Sequence, residues 1–140
     1  MLVLAAVLPL PVHADRPQNM TLSITRPKGA PGGTWEATGD LNDSGTWIFD
    51  FRRLTRNSPN GFTAHLIVTF TGADGSTFTA DFQGEFARVS DDPIVYEAQE
   101  RWHITGGTGG YADLQGVGEV SGLLNSSLPV AYLIGTGRTH

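Results

Sequence analysis

The segment from residue 61 to residue 86, GFTAHLIVTFTGADGSTFTADFQGEF, alternates apolar and polar side chains on both sides of a short turn. Successive side chains of a β-strand point to opposite faces, so this period of two predicts strands that each have one apolar face. The tripeptide Ala73-Asp74-Gly75 between them is typical of a tight hairpin turn, because Asp and Gly readily adopt the backbone conformations it requires. The segment therefore predicts an antiparallel pair of strands.

The same alternation continues through the chain from Met20 onward, and no run of ten or more residues there has the apolar spacing of an amphipathic helix. Clusters of Gly, Pro, Asn, Asp and Ser separate the alternating segments and predict turns. The predicted strands are Met20–Arg26, Thr34–Gly39, Gly45–Leu54, Gly61–Thr71, Ser76–Val89, Ile94–Thr105, Gly116–Leu124 and Pro129–Thr136.

The aromatic residues fall on one face of these strands. Trp47, Phe49 and Phe51 share a face of the third strand, opposite Asp50 and Arg52, and all seven phenylalanines follow the same rule. Long one-sided strands leave unpaired edges unless the sheet closes on itself. The pattern predicts an all-β fold, a closed antiparallel barrel of about eight strands. A β-sandwich is the alternative, because two facing sheets show the same alternation.

The first fourteen residues, MLVLAAVLPLPVHA, are apolar and end in Val12-His13-Ala14, whose small residues at the last and third-last positions suit signal peptidase. We predict a signal peptide at residues 1–14, followed by a single barrel domain at residues 15–140 that is secreted or periplasmic. The absence of Lys or Arg near Met1 indicates a signal truncated at its N-terminus. No other stretch approaches the ~20 apolar residues of a membrane span, so none is expected after processing.

Charge and cysteine content exclude several classes of function. A net charge of −5 argues against nucleic-acid binding. The chain has no cysteine, which excludes disulfides and thiolate chemistry and leaves stability to the core. His65 and His103 are single histidines on separate predicted strands, without the spacing of a metal site. We therefore predict no metal.

The segment from residue 104 to residue 119, ITGGTGGYADLQGVGE, has a glycine-rich corner between two predicted strands. The run Gly106-Gly107-Thr108-Gly109 would allow positive φ in a tight corner, Tyr111 would plug the barrel end, and Gly116 would let the chain re-enter the sheet. The segment resembles a signature of the allene oxide cyclase and dirigent barrel families. A phosphate-binding loop is excluded, because no Lys follows the glycines and no helix is predicted after them.

The resemblance covers these sixteen residues closely and implies an eight-stranded barrel with a central cavity, often assembled as a trimer. It implies neither a metal nor an organic cofactor. It does not transfer one activity, because related barrels include cyclases, coupling-guidance proteins and exported proteins of unknown role.

One carboxylate occupies an unusual position. If Tyr96 and Trp102 face inward with the other aromatic residues, Glu100 between them faces inward as well. Burial without a partner costs several kcal/mol and raises the pKa of a carboxyl group, so Glu100 is the candidate catalytic residue. Allene oxide cyclases are similar in having a glutamate within an apolar barrel. The alternatives are a β-bulge that shifts the alternation, or a position at the barrel mouth paired with an arginine.

Flat apolar side chains and phenolic hydroxyls could line an interior cavity. Two functions follow as expectations. The first is an exported barrel that holds a small apolar or aromatic molecule, as a binding protein or as a cofactor-independent cyclase or isomerase. The alternative is a structural or interaction module with a filled core and no ligand. The candidate ligand-binding residues are Trp35, Trp47, Phe49, Tyr96, Trp102 and Tyr132.

Overall fold

A computed structural model describes residues 18–140, so the predicted signal peptide at residues 1–14 lies outside the described residues. The described part contains eight strands and one short 3-10 helix, Gly109–Tyr111, between the sixth and seventh strands. The strands are β1 (Gln18–Pro27), β2 (Gly32–Gly39), β3 (Asp43–Ser58), β4 (Gly61–Thr71), β5 (Thr77–Asp91), β6 (Ile94–Gly107), β7 (Gly116–Asn125) and β8 (Val130–Thr139).

The eight strands form one closed antiparallel barrel in which each strand pairs with its neighbours in sequence. The barrel closes because β8 also pairs with β1 over ten residues, from Gln18 opposite Thr139 to Pro27 opposite Val130. Closure leaves no sheet edge unpaired, which is the physical advantage expected of long one-sided strands. The predicted barrel is confirmed and the sandwich alternative is wrong. Within residues 18–140, no helix has the length and apolar character needed to cross a membrane.

The interior faces of the strands are apolar, as the alternation predicts. Directly opposed residues share a face, and Phe70 of β4 lies opposite both Trp47 of β3 and Phe78 of β5. A register shift in β3 between Phe51 and Arg53 changes this alternation. Beyond the shift, Leu54 and the residues that alternate with it take the inward positions.

The two ends of the barrel differ. We call the end with the β2–β3, β4–β5 and β6–β7 connections the closed end, and the opposite end the open end. At the closed end Tyr111 packs edge-on against Phe78, with ring centroids 5.2 Å apart, and Leu41 and Leu114 pack against the same core. The Tyr111 hydroxyl donates a hydrogen bond to the Asp43 carboxylate.

The glycine-rich corner holds Tyr111 in this position. Gly109 has a φ of +57°, a left-handed conformation that side chains rarely adopt, and it begins the 3-10 turn. The backbone N–H of Thr108 donates to the Thr77 carbonyl at 2.8 Å, which ties the corner to β5. Gly116 then begins β7. The corner therefore folds back over the interior and covers the closed end.

Candidate functional site

The open half of the barrel encloses a cavity of about 130 Å³. An apolar cavity of about 150 Å³ is large enough to bind benzene, whereas ordinary ligand pockets begin near 300 Å³. The enclosed space therefore fits one ring or a short chain, and a longer molecule would extend through the mouth. Its aromatic lining consists of Trp47, Phe49, Phe51, Phe62, Phe82 and Phe86.

Ring contacts define the shape of this cavity. Phe62 of β4 stacks on Phe86 of β5 with centroids 4.7 Å apart, which makes one wall flat. Phe49 meets Phe51 edge-on at 5.1 Å, and Phe51 is 57% exposed, so it stands at the mouth. The flat apolar walls suit an aromatic or alicyclic ring.

Glu100 is the acidic residue of the cavity lining. It lies in β6 opposite Gly84 of β5 and Val120 of β7, with no register shift at this position. A side chain at position 84 would begin 2.5 Å from the Glu100 Cγ atom, so the glycine provides the space that the glutamate occupies. The predicted inward orientation is confirmed, and the alternative of a bulge at this position is wrong.

The Glu100 side chain is 5% exposed, and its Oε1 atom has no hydrogen-bond partner within the described residues. No Lys or Arg in residues 18–140 forms an ion pair with it, so the alternative of a paired carboxylate at the mouth is also wrong. Burial raises the pKa of Glu100 to about 7, because the ionised form loses its hydration. Near neutral pH the group is present in both forms and can donate or accept a proton.

Arg26 is the basic residue of the cavity lining, at the end of β1. Its Nε donates to the Ala30 carbonyl at 2.7 Å, and its Cζ atom lies 5.0 Å from the centre of the Phe49 ring. Partial burial lowers the pKa of the guanidinium, which indicates a partly desolvated cation. Arg26 was not among the residues predicted from the sequence to line a cavity, although its position continues the inward alternation of Leu22 and Ile24.

The other predicted ligand-binding residues occupy different environments. Trp47 and Phe49 line the cavity. Trp35 and Trp102 belong to the packed core outside the lining, and the Trp35 Nε1 donates to the Thr71 carbonyl at 3.0 Å. Tyr96 packs edge-on against Phe62 at 5.3 Å and is not one of the lining residues of the cavity.

Tyr132 requires a correction. We predicted a hydroxyl donor facing the cavity, but its side chain is 66% exposed on the outside of the barrel. In β8 the neighbouring residues Ala131 and Leu133 line the cavity, and strand alternation therefore turns Tyr132 outward.

Two histidines that look isolated in sequence share one carboxylate on the outer surface. The Nε2 atoms of His65 and His103 each lie 3.7 Å from an oxygen of Asp81, on three adjacent strands. Sequence reasoning missed this cluster because antiparallel pairing, rather than spacing along the chain, brings the three side chains together. No group of three or more His, Asp or Glu residues within the described part is positioned to hold a metal ion.

The fold and the site define a class of protein: a closed eight-stranded antiparallel barrel with one packed half and one half that contains a small apolar cavity. Comparison with protein-family models, with curated proteins and with solved structures finds no match to this chain. The resemblance to the allene oxide cyclase and dirigent barrels therefore stays a prediction based on residues 104–119.

Proposed function

We propose that this protein is an exported small-molecule-binding barrel that holds an apolar or aromatic molecule in the open half. The observation that carries the proposal is an apolar, largely aromatic cavity with one buried carboxyl group that has no partner among the described residues. Concave apolar sites with few polar groups are the usual form of small-molecule sites. A ligand with one polar group would fill the space and supply the missing hydrogen bond.

Glu100 sets the chemistry that such a site supports. A buried polar atom without a hydrogen bond costs about 1–3 kcal/mol, and a ligand hydroxyl or carbonyl opposite Glu100 would recover part of this cost. A carboxyl group with a pKa of about 7 also suits general acid or base catalysis. We propose this role for Glu100 in a cofactor-independent cyclase or isomerase reaction, in which the rigid aromatic walls hold the substrate in a reactive conformation.

The alternative is a structural or interaction module, and the small volume of the cavity favours it. About 130 Å³ is less than half of the ~300 Å³ at which ordinary ligand pockets begin. In this view the apolar space is a packing defect, and the protein acts through its outer surface.

Native mass spectrometry separates the two functions. Residues 15–140 would be purified from the exported fraction of the protein's own host, and any bound molecule would be extracted and identified. We expect a retained apolar or aromatic molecule, and the same spectrum gives the oligomeric mass, including any trimer. A spectrum that stays empty after incubation with lipids and phenolic compounds would contradict the proposal and favour the structural module.

Once a bound molecule is known, the variant E100Q tests the catalytic role. Gln has nearly the same size as Glu and keeps hydrogen-bonding capacity, but its amide does not act as a general acid or base near neutral pH. We expect E100Q to retain the molecule and lose turnover. Turnover equal to that of the wild type would exclude Glu100 as the acid or base.

A further inference from the structure

The charged groups are distributed unevenly between the two ends of the barrel. The inward alternation of β1, β3 and β5 ends at the open end in Arg26, Arg56 and Arg88. The connections at the closed end carry Asp40, Asp74 and Asp113. At the open end, Asp91 and Asp92 around the β5–β6 turn are outnumbered by these three arginines and Lys28. In a chain with a net charge of −5, the mouth of the cavity is therefore locally basic.

Arg26 differs from the other two arginines of the mouth in its contacts. The Arg88 Nη1 atom lies 3.5 Å from the Asp91 carboxylate, so that charge already has a partner. Arg56, opposite Phe62 in the sheet, is exposed to solvent. Arg26 lines the cavity, is fixed by its bond to the Ala30 carbonyl, and has no ion pair with any carboxylate within residues 18–140.

A fixed, partly desolvated guanidinium at the mouth of an apolar space is suited to one kind of ligand. The walls accept a ring, the enclosed volume limits the apolar part to about one ring, and Arg26 can pair with a carboxylate in a planar, two-bond geometry. Glu100 lies on the same lining and in its neutral form does not repel an anion.

We propose that the ligand of the open half is a small aromatic carboxylate, whose ring enters the cavity and whose carboxylate pairs with Arg26 at the mouth. The inference rests on the proposed binding function and adds the chemical class of the ligand. It makes Arg26 a residue that determines specificity, separately from any reaction at Glu100.

Three probes of nearly identical shape test the charge preference: benzoate, benzamide and benzamidinium. Their binding would be measured at pH 6 and about 0.15 M salt by quenching of tryptophan fluorescence, since Trp47 lines the cavity. We expect benzoate to bind about fivefold more tightly than benzamide, as for one partly exposed ion pair, and benzamidinium to bind most weakly.

The variants R26Q and R26K assign this preference to Arg26. R26Q should bind benzoate and benzamide equally, whereas R26K should keep most of the preference because it keeps the charge. R101Q is the matched control, because Arg101 is exposed on the outer face of β6 and should leave the ratio unchanged. The ratio of benzoate affinity to benzamide affinity is measured within each variant. A substitution that weakens the binding of both probes equally, by destabilising the barrel, therefore leaves this ratio unchanged.

The outcomes distinguish the two proposals. Equal binding of benzoate and benzamide to the wild type, or a preference for benzamidinium, would overturn the carboxylate inference and leave the binding function intact. A benzoate preference that survives in R26Q would show that another group selects the anion and would also overturn the inference. No binding of any of the three probes would count against the binding function itself.

Discussion

The closed half of the barrel is packed with interlocking aromatic rings, whereas the open half, built from the same alternating strands, leaves a cavity of about 130 Å³. In the closed half Trp35 meets Phe70 and Phe78 edge-on, with centroids 5.5 Å from each. In the open half the rings form walls around a space that contains the Glu100 carboxyl. The comparison shows that both halves have the same alternating apolar face, while the residues that cover each end decide whether the interior is filled.

The polar groups of the two halves differ in what surrounds them. In the closed half the Trp35 indole N–H and the Tyr111 hydroxyl both have acceptors. In the open half the Glu100 Oε1 atom has no hydrogen-bond partner among the described residues. Arg26 lines the same cavity and forms no ion pair with any of their carboxylates. The Trp102 Nε1 atom in the packed core also has no partner among the described residues, so an unsatisfied atom alone does not distinguish the two halves. Glu100 differs because its carboxyl group borders empty space, where a ligand could supply the missing hydrogen bond.

The largest expected effect comes from truncating one ring in each half. Phe70 is 1% exposed and stacks on Phe78 at 4.7 Å, so Phe70→Ala should lower the free energy of unfolding by about 3–5 kcal/mol. Phe49 is only half-buried beside existing empty space, so Phe49→Ala should cost about 1–2 kcal/mol. Urea unfolding of both variants measures the difference. Equal losses would show that the two halves are packed alike.

Next in size is the pH dependence caused by Glu100. Its pKa is raised from 4.5 to about 7 in the folded protein, so the ionised form is disfavoured by folding. The associated stability is fully present below pH 4.5 and is lost as the pH rises through about 7, a loss of about 3 kcal/mol at 1.4 kcal/mol per pH unit. At pH 8, E100Q should therefore be more stable than the wild type by about 3 kcal/mol, with the advantage vanishing near pH 4.

The control for this measurement is E85Q, because Glu85 lies on the exposed outer face of β5. Urea unfolding from pH 4 to pH 8 gives the difference curve between each variant and the wild type, in which the other titrating groups largely cancel. A flat curve for E100Q would mean that the Glu100 carboxyl has a partner in solution.

The smallest expected effect is at the closed end. Tyr111→Phe removes the hydrogen bond to Asp43 and should cost about 1 kcal/mol at pH 7. Burial alone would raise the pKa of Asp43, but hydrogen bonds from Tyr111, Ser44 and Ala73 lower it overall. The stability from this depressed pKa is present at neutral pH and is lost as the pH falls through the folded pKa, so the variant should differ less from the wild type at pH 3.

Urea unfolding at both pH values tests the Tyr111→Phe prediction. Binding of ligands in the open half should be unchanged in this variant, because Tyr111 lies at the opposite end of the barrel. A loss that is the same at pH 3 and pH 7 would assign the effect to packing rather than to the Asp43 carboxylate.

Much of the fold was predictable because strand alternation is a local property. Side chains two residues apart share a face, so the sequence around Phe62–Phe70 and Phe78–Phe86 was enough to separate interior from exterior. The same rule placed Glu100 inside, since no register shift interrupts β6 at that position. In β8 the same rule was not followed when Tyr132 was predicted to face the cavity. Ala131 and Leu133 on either side of it line the cavity, so alternation places Tyr132 on the outside.

Other features depended on pairing between distant segments. The register shift after Phe51, which changes the inward set of β3, follows from how β3 aligns with β4. The approach of His65 and His103 to Asp81 depends on the relative alignment of β4, β5 and β6. Neither leaves a clear signal in the sequence of one strand.

The sequence by itself determined the all-β class, the strand segments and their apolar faces, because each depends on the alternation of neighbouring residues. It predicted an inward Glu100, and the unshifted register of β6 at that position excluded the bulge alternative. The tertiary structure alone decided that the closed half is filled, that the open half keeps a cavity with Arg26 at its mouth, and that the Glu100 carboxyl in its lining has no partner among the described residues. The physical reason is that packing and burial depend on side chains from different strands meeting in space, and strand register sets those meetings.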